Sequence, residues 1–154
     1  MFVEFDESEF PIVRVTFHGR IKSPIDFENL ILMWEKYYKR KQPFFFMFDT
    51  RDMGIIGLKY CYRMVNFIKR LKRSYKVQYL QRSVILVKNR YIKFLLWVIF
   101  KAQKPVAPVY ITNDVEIYEL LHQNLDAGIP PPPLVEIIYP TSKNLNLSIS
   151  KAIH

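Results

Sequence analysis

The segment that most constrains the fold of this chain is residues 81–114, which reads as a strand, a helix and a second strand. The strands are predicted at 83–88 and 106–112 and the helix at 90–103. This helix is apolar almost all the way round, and residues 94–100 are an unbroken apolar run. An ordinary surface helix keeps one polar face, so this helix is either buried on two sides or covered by something outside the domain.

The residue pattern in the N-terminal part of the chain predicts a β-hairpin followed by a helix. Residues 2–6 and 12–18 alternate apolar and polar side chains, as half-covered strands do. The next helix is predicted to begin at Ser23, because Ser23 and Asp26 have the spacing of a capping box and Pro24 suits the first helical position.

A central strand and an amphipathic helix come next. Residues 44–48 are four phenylalanines and a methionine, a continuous run typical of a strand buried on both faces. The helix at 58–74 has an apolar side and a basic side, and the basic side carries Lys59, Arg63, Lys69, Arg70 and Arg73. A last helix is predicted at 115–124. The order β-β-α-β-α-β-α-β-α predicts an α/β fold whose mixed sheet contains parallel neighbours.

The composition of the chain changes after residue 126. Four consecutive prolines at 130–133 favour polyproline II, and residues 135–139 fit a short strand. We therefore predict one domain at 1–126 and a Pro-rich C-terminal extension at 127–154, which is either a free tail or a strap across the domain.

The basic residues are unevenly distributed. The chain has a formal net charge of +9, yet residues 1–52 carry nine acidic against eight basic side chains. Between Asp52 and Asp114 there is no acidic residue, while thirteen of the 23 lysines and arginines lie there. A field of one sign favours a polyanionic partner, namely anionic lipid, nucleic acid or an acidic protein surface. The alternative is a solvated basic face that aids solubility.

The N-terminus, the short apolar runs and the single cysteine argue against a secreted or membrane-spanning protein. The acidic N-terminus lacks the regions of a signal peptide, and no apolar run approaches the roughly 20 residues that span a bilayer. A single cysteine, Cys61, excludes an internal disulfide framework. We expect a cytoplasmic or intravirion protein that is not secreted and has no transmembrane helix.

The side chains that usually carry chemistry are scattered along the chain. His18, His122 and His154 share no metal-binding spacing. Asp49 and Asp52 follow the central strand, at the edge where open α/β sheets bind ligands, so they are a candidate loop site unless they cap the loop. Nucleotide-binding and nucleophile motifs are absent from the sequence. We predict no enzymatic activity, no metal and no cofactor.

Three stretches carry a family resemblance: VTFHGRI at 15–21, FMFD at 46–49, and SVILV from residue 83 with the helix and strand after it. Together with the order of elements, they resemble the STAS domain over residues 1–124, and more closely its SpoIIAA-like branch, which is similar to the lipid-binding CRAL-TRIO domain. The resemblance implies a non-catalytic module that binds a protein, a lipid or a small ligand. Residues 50–59 lack the phosphorylatable serine of the family's anti-sigma-factor antagonists, so regulation at that site is not expected.

The helix at 90–103 has two different sides on a helical wheel. The aliphatic side faces the sheet and carries Ile92, Leu95, Leu96 and Ile99. The opposite side is aromatic and basic, and with the following loop it carries Arg90, Lys93, Phe94, Trp97, Phe100, Lys101 and Lys104. Such a surface suits an interface with a partner or a second copy, or the surface of an anionic membrane. The remaining alternative is that the C-terminal extension covers it.

These observations favour a protein-interaction module that self-associates, as a homodimer, or binds a partner through the aromatic and basic side of this helix. The alternative is a peripheral protein that binds anionic lipid, or an apolar ligand beneath the same helix. The third prediction is nucleic-acid binding through the basic side of the helix at 58–74, which rests on charge alone.

Overall fold

A computed structural model describes residues 1–140 of the chain and shows a six-stranded mixed sheet with helices on both faces. The strands are β1 (Val3–Glu9), β2 (Ile12–Phe17), β3 (Phe44–Asp49), β4 (Leu80–Leu86), β5 (Val109–Thr112) and β6 (Glu136–Ile138). The helices are α1 (Pro24–Lys39), α2 (Leu58–Ser74), α3 (Arg90–Ala102) and α4 (Val115–Asp126). The predicted α/β class is therefore confirmed.

Strands that follow one another in the chain are neighbours throughout the sheet. Strands β2, β3, β4 and β5 are parallel, while β1 and β6 pair antiparallel at the two edges. The parallel neighbours agree with the alternation of strands and helices in the sequence.

The N-terminal cap of α1 has the predicted geometry. Ser23 Oγ accepts a hydrogen bond from the Ile25 amide at 3.2 Å, and the Asp26 carboxylate accepts one from the Ser23 amide at 3.3 Å. With Pro24 in the first turn, these bonds satisfy amides that have no partner within the helix.

The sheet separates two apolar cores. Helices α1, α2 and α3 cover one face, where Phe44, Phe46 and Phe48 of β3 are buried. Helix α4 covers the other face, against Met47 of the same strand. Strand β3 is thus buried on both faces, as its continuous apolar run predicts.

The start of the C-terminal extension is part of the sheet. Strand β6 pairs antiparallel with β5, with Val109 opposite Ile138, and Val135 packs into the core beneath α4. The predicted short strand is present, and Glu136–Ile138, within the predicted extension, belongs to the sheet. The pairing follows because the edge of β5 would otherwise leave backbone donors and acceptors without partners. The remainder of the predicted extension, residues 141–154 including His154, lies outside the described residues.

Candidate functional site

A cavity of about 160 Å³ lies between the sheet and the three helices α1, α2 and α3. Its wall is almost entirely apolar, and each layer contributes to it, including Trp34 from α1, Ile68 from α2, Leu95 from α3 and Ile85 from the sheet. Protein interiors are close-packed and hold few voids larger than a water molecule. A void of this size approximates one that in another protein stays dry and binds a single benzene ring. The cavity is therefore a candidate site for an apolar ligand.

The polar groups in the cavity wall are few. The Thr50 hydroxyl is already used, because it donates a hydrogen bond to the Leu86 carbonyl at 2.7 Å. Trp34 is different, since its buried Nε1–H has no acceptor among the described residues. The indole nitrogen has almost no accessible surface, so a ligand oxygen would accept this hydrogen bond only if the side chains that cover the nitrogen moved.

The single cysteine also lines the cavity. Burial raises the pKa of the Cys61 thiol, so this side chain is a neutral, weakly polar part of the wall at physiological pH.

The inward side of α3 forms one wall of the cavity. Ile92 and Leu95 are buried, and Leu96 and Ile99 are partly buried against the same core, as the helical wheel predicts. Phe100 is a correction, because it packs against the core and lines the cavity and does not stand on the outward side. It lies one turn after Leu96, which places the two side chains on neighbouring positions of the helix surface.

The outward side of α3 keeps the other two predicted aromatic residues exposed. Phe94 and Trp97 are 51% and 56% exposed, and their rings stack with centroids 6.0 Å apart. The ammonium group of Lys101 lies 5.8 Å from the Trp97 ring centroid, within the range of a cation–π contact.

The C-terminal extension, as far as residue 140, does not cover this aromatic pair. Its strand β6 reaches α3 through an ion pair between Glu136 and Lys93, with 2.6 Å between the carboxylate oxygen and Nζ. Phe94 and Trp97 remain exposed beside it. Within residues 1–140, Arg90, Lys101 and Lys104 are exposed and form no ion pair.

The basic side of α2 is partly neutralised by α1. Arg63 pairs with Glu28 at 3.8 Å, and Arg70 pairs with Glu35. The other predicted residues of this side, Lys59, Lys69 and Arg73, are exposed. The surface therefore carries less net positive charge than its own sequence indicates.

Asp49 and Asp52, the candidate loop site, both make contacts that hold the loop at the end of β3. The Asp49 carboxylate accepts hydrogen bonds from the Arg51 backbone and guanidinium, which lower the pKa of Asp49. The Asp52 backbone carbonyl accepts a bond from the Gly19 amide at 2.8 Å, joining two loops. Asp49 thus caps its loop, which is the alternative that the sequence left open.

Metal-binding clusters and membrane-spanning helices are both absent from residues 1–140. These residues contain no group of three or more His, Cys, Asp or Glu side chains that is placed to hold a metal ion. None of their helices has the length and apolar character needed to cross a bilayer.

A polar cluster on the α4 face, in which His122 is buried and Asp126 is exposed, was not predicted from the sequence. Arg82 Nη2 donates to His122 Nδ1 at 3.0 Å and to the Asp126 carboxylate at 2.8 Å. The second ring nitrogen of His122 lies 3.2 Å from the same carboxylate, and both Arg82 and His122 pack on the Phe45 ring. The i, i+4 spacing of His122 and Asp126 predicts that these two side chains are neighbours on α4. Nothing in the sequence places Arg82 beside them.

This cluster makes the stability of the fold depend on pH. Burial, with the nearby Arg82 cation, lowers the pKa of His122 below its unfolded value of about 6.5. The unfolded chain therefore binds more protons, so the stabilising contribution is complete above that value and is lost as the pH falls through it. We expect the free energy of unfolding of the wild type to fall more steeply between neutral and acidic pH than that of His122→Gln. Urea unfolding across that pH range tests this, and identical pH profiles would contradict it.

Comparisons with known proteins do not identify the chain: no family model, no curated protein and no solved structure matches it. The resemblance to the STAS domain thus stays a prediction. The class that the structure supports is a mixed α/β domain with an apolar cavity under three helices.

Proposed function

We propose that this protein binds a small apolar ligand in the cavity between the sheet and helices α1, α2 and α3. The observation that carries the proposal is the void of about 160 Å³ with an almost wholly apolar wall. Ligand sites are typically concave, mostly apolar and supplied with few polar groups, and this cavity has that character.

The size and polarity of the cavity favour a particular ligand class. A volume of about 160 Å³ suits one ring or a short alkyl chain, and it is far below what a two-tailed lipid needs. The wall offers almost no open polar group, because the Thr50 hydroxyl is already hydrogen-bonded and the Trp34 indole nitrogen is covered. We therefore propose a neutral ligand that is hydrocarbon over most or all of its surface.

A ligand would enter the cavity past the residues of the wall that are partly exposed, and these lie at both ends of the strands. Leu96, Phe100 and Val106 belong to α3 and the loop after it, while Ile21 and Met53 lie in loops beyond the opposite ends of the strands. Because α3 contributes a whole side to the cavity, a small outward shift of this helix would widen the site.

The test compares two probes of nearly the same shape, ethylbenzene and anisole, with the full chain. We expect both to raise Tm in a concentration-dependent manner, because a ligand that binds the folded state alone stabilises it by about 2.7 kcal/mol at a hundred times its Kd. We expect ethylbenzene to bind at least as tightly as anisole, because the ether oxygen of anisole finds no open hydrogen-bond donor in the wall. Calorimetry of thermal unfolding and of direct titration measures both effects.

Two outcomes separate the parts of this proposal. If Tm stays unchanged with ethylbenzene and anisole at their highest soluble concentrations, the proposal that the cavity binds an apolar ligand is wrong. Markedly tighter binding of anisole would keep the cavity as the site and overturn the proposed hydrocarbon class, because the ligand would then reach a hydrogen-bond donor. The matched control is a variant in which the cavity is filled, Ala107→Leu.

The interaction module and the nucleic-acid binder expected from the sequence remain predictions. The exposed aromatic pair Phe94 and Trp97 supports a contact surface on α3. The ion pairs of Arg63 and Arg70 with α1 weaken the case for a nucleic acid on α2.

A further inference from the structure

We propose that the outward side of α3 docks on the surface of an anionic membrane. The docking surface consists of Tyr91, Phe94 and Trp97 together with the exposed side chains Ile55 and Leu58. The loop that holds Ile55 lies beside α3, because the Tyr91 hydroxyl donates a hydrogen bond to the Ile56 carbonyl at 2.8 Å. The apolar surface therefore extends beyond one helix onto the loop before α2.

Cations surround this docking surface. Lys88, Arg90, Lys101 and Lys104 are exposed, and none forms an ion pair within residues 1–140. The chain has no acidic residue between Asp52 and Asp114, so no local carboxylate neutralises them from the same segment. The acidic neighbour that does reach α3 is Glu136, and it pairs with Lys93. The surface is thus complementary to a negatively charged partner.

The same charges argue against a second copy of this chain as the partner. In a symmetric dimer the same surface patch of each copy contacts that of the other. Two sets of unpaired cations would therefore face each other around the apolar centre. Like charges brought together at an interface are unfavourable, and an anionic surface relieves the repulsion.

The side chains of the docking surface favour lipid headgroups over an acidic protein. Tryptophan and tyrosine prefer the boundary between headgroups and acyl chains, and flanking lysines and arginines bind the anionic headgroups. Helix α3 has 13 residues and would lie in the plane of the boundary. The choice of lipid over an acidic protein also rests on the proposed function, since apolar ligands partition into bilayers and α3 forms a wall of the cavity. The docking surface itself does not depend on the cavity.

The experiment is sedimentation of the full chain with phosphatidylcholine vesicles that either contain or lack phosphatidylserine. We expect binding to the vesicles with phosphatidylserine, weakening as salt is raised, and a blue shift of Trp97 fluorescence, obtained as the difference between the wild type and Trp97→Phe. The double variant Phe94→Ser with Trp97→Ser should bind at least about tenfold more weakly. Its matched control is Leu32→Ser with Leu120→Ser, which removes two exposed leucines elsewhere and should bind as the wild type does.

Three results would overturn the docking proposal. The first is wild-type binding by the Phe94 and Trp97 double variant, with its fold verified by circular dichroism. The second is equal binding to vesicles with and without phosphatidylserine. The third is absence of binding to the vesicles that contain phosphatidylserine; a dimer, seen by light scattering, that this double variant dissociates would then identify a second copy as the occupant. Binding of ethylbenzene is measured without vesicles, so failure of the ligand proposal is distinguishable from failure of the docking proposal.

Discussion

Ala107→Leu is expected to reduce the affinity for ethylbenzene by at least about tenfold and to make the protein more stable. Ala107 is buried and lines the cavity, so a leucine side chain at this position extends into the void. Each methylene that gains a buried environment adds about 0.8 kcal/mol, and we expect a net gain of about 1 kcal/mol after side-chain ordering. Titration calorimetry and urea unfolding of the same variant measure both effects.

This expectation rests on the packing contacts that side chains around an empty cavity lack. Cavities made by large-to-small core substitutions in another protein cost about 24 cal/mol per Å³, so unfilled apolar space lowers stability. A single side chain that occupies part of this space recovers part of that stability and excludes the ligand.

The matched control for Ala107→Leu is Val13→Leu. Val13 is fully buried on the same face of the sheet and is not part of the cavity wall. Adding one carbon to closely packed surroundings destabilises by about 1 to 3 kcal/mol, so the two variants should shift stability in opposite directions. A loss of stability in Ala107→Leu comparable with that in Val13→Leu would show that the region is closely packed in solution.

Phe46→Ala is expected to destabilise the fold by about 4 kcal/mol. The side chain is fully buried in the central strand, and its ring contacts Phe48 at 4.8 Å, Trp34 at 4.9 Å and Phe44 at 5.1 Å between centroids. Its removal takes away buried area and aromatic contacts together, and the surrounding rings cannot collapse fully into the space.

Urea unfolding measures the effect of Phe46→Ala, and Phe94→Ala supplies the control. The same chemical change at the exposed Phe94 should alter stability by no more than about 0.5 kcal/mol. Similar losses in the two variants would contradict the burial of Phe46 at the centre of the sheet.

The local elements of this fold follow from short stretches of sequence. The capping box at Ser23 predicts where α1 begins, because the bonds involved join residues a few positions apart. The run of apolar residues in β3 predicts a strand buried on both faces. The segregation of basic and apolar residues likewise predicts α2 with its observed bounds, Leu58–Ser74.

Predictions that depend on contacts between distant parts of the chain were less complete. The helical wheel assigns Phe94 and Trp97 correctly to the outward side of α3, but it misplaces Phe100, whose position depends on the space beneath the helix. The sequence predicts a short strand after the prolines, but its pairing with β5 joins segments that α4 and the prolines separate in the chain. The cluster at His122 required Arg82, which lies 40 residues earlier in the chain.

The sequence by itself determined the class of the fold, the order of its elements and the aromatic and basic character of α3, because periodicity and capping are local properties of the chain. Tertiary structure alone decided that a cavity remains under α3, that the indole N–H of Trp34 is buried without an acceptor, and that β6 leaves Phe94 and Trp97 uncovered. A cavity is the difference between the space that the backbones enclose and the volume of the side chains that three helices and several strands contribute. No single stretch of sequence contains that difference.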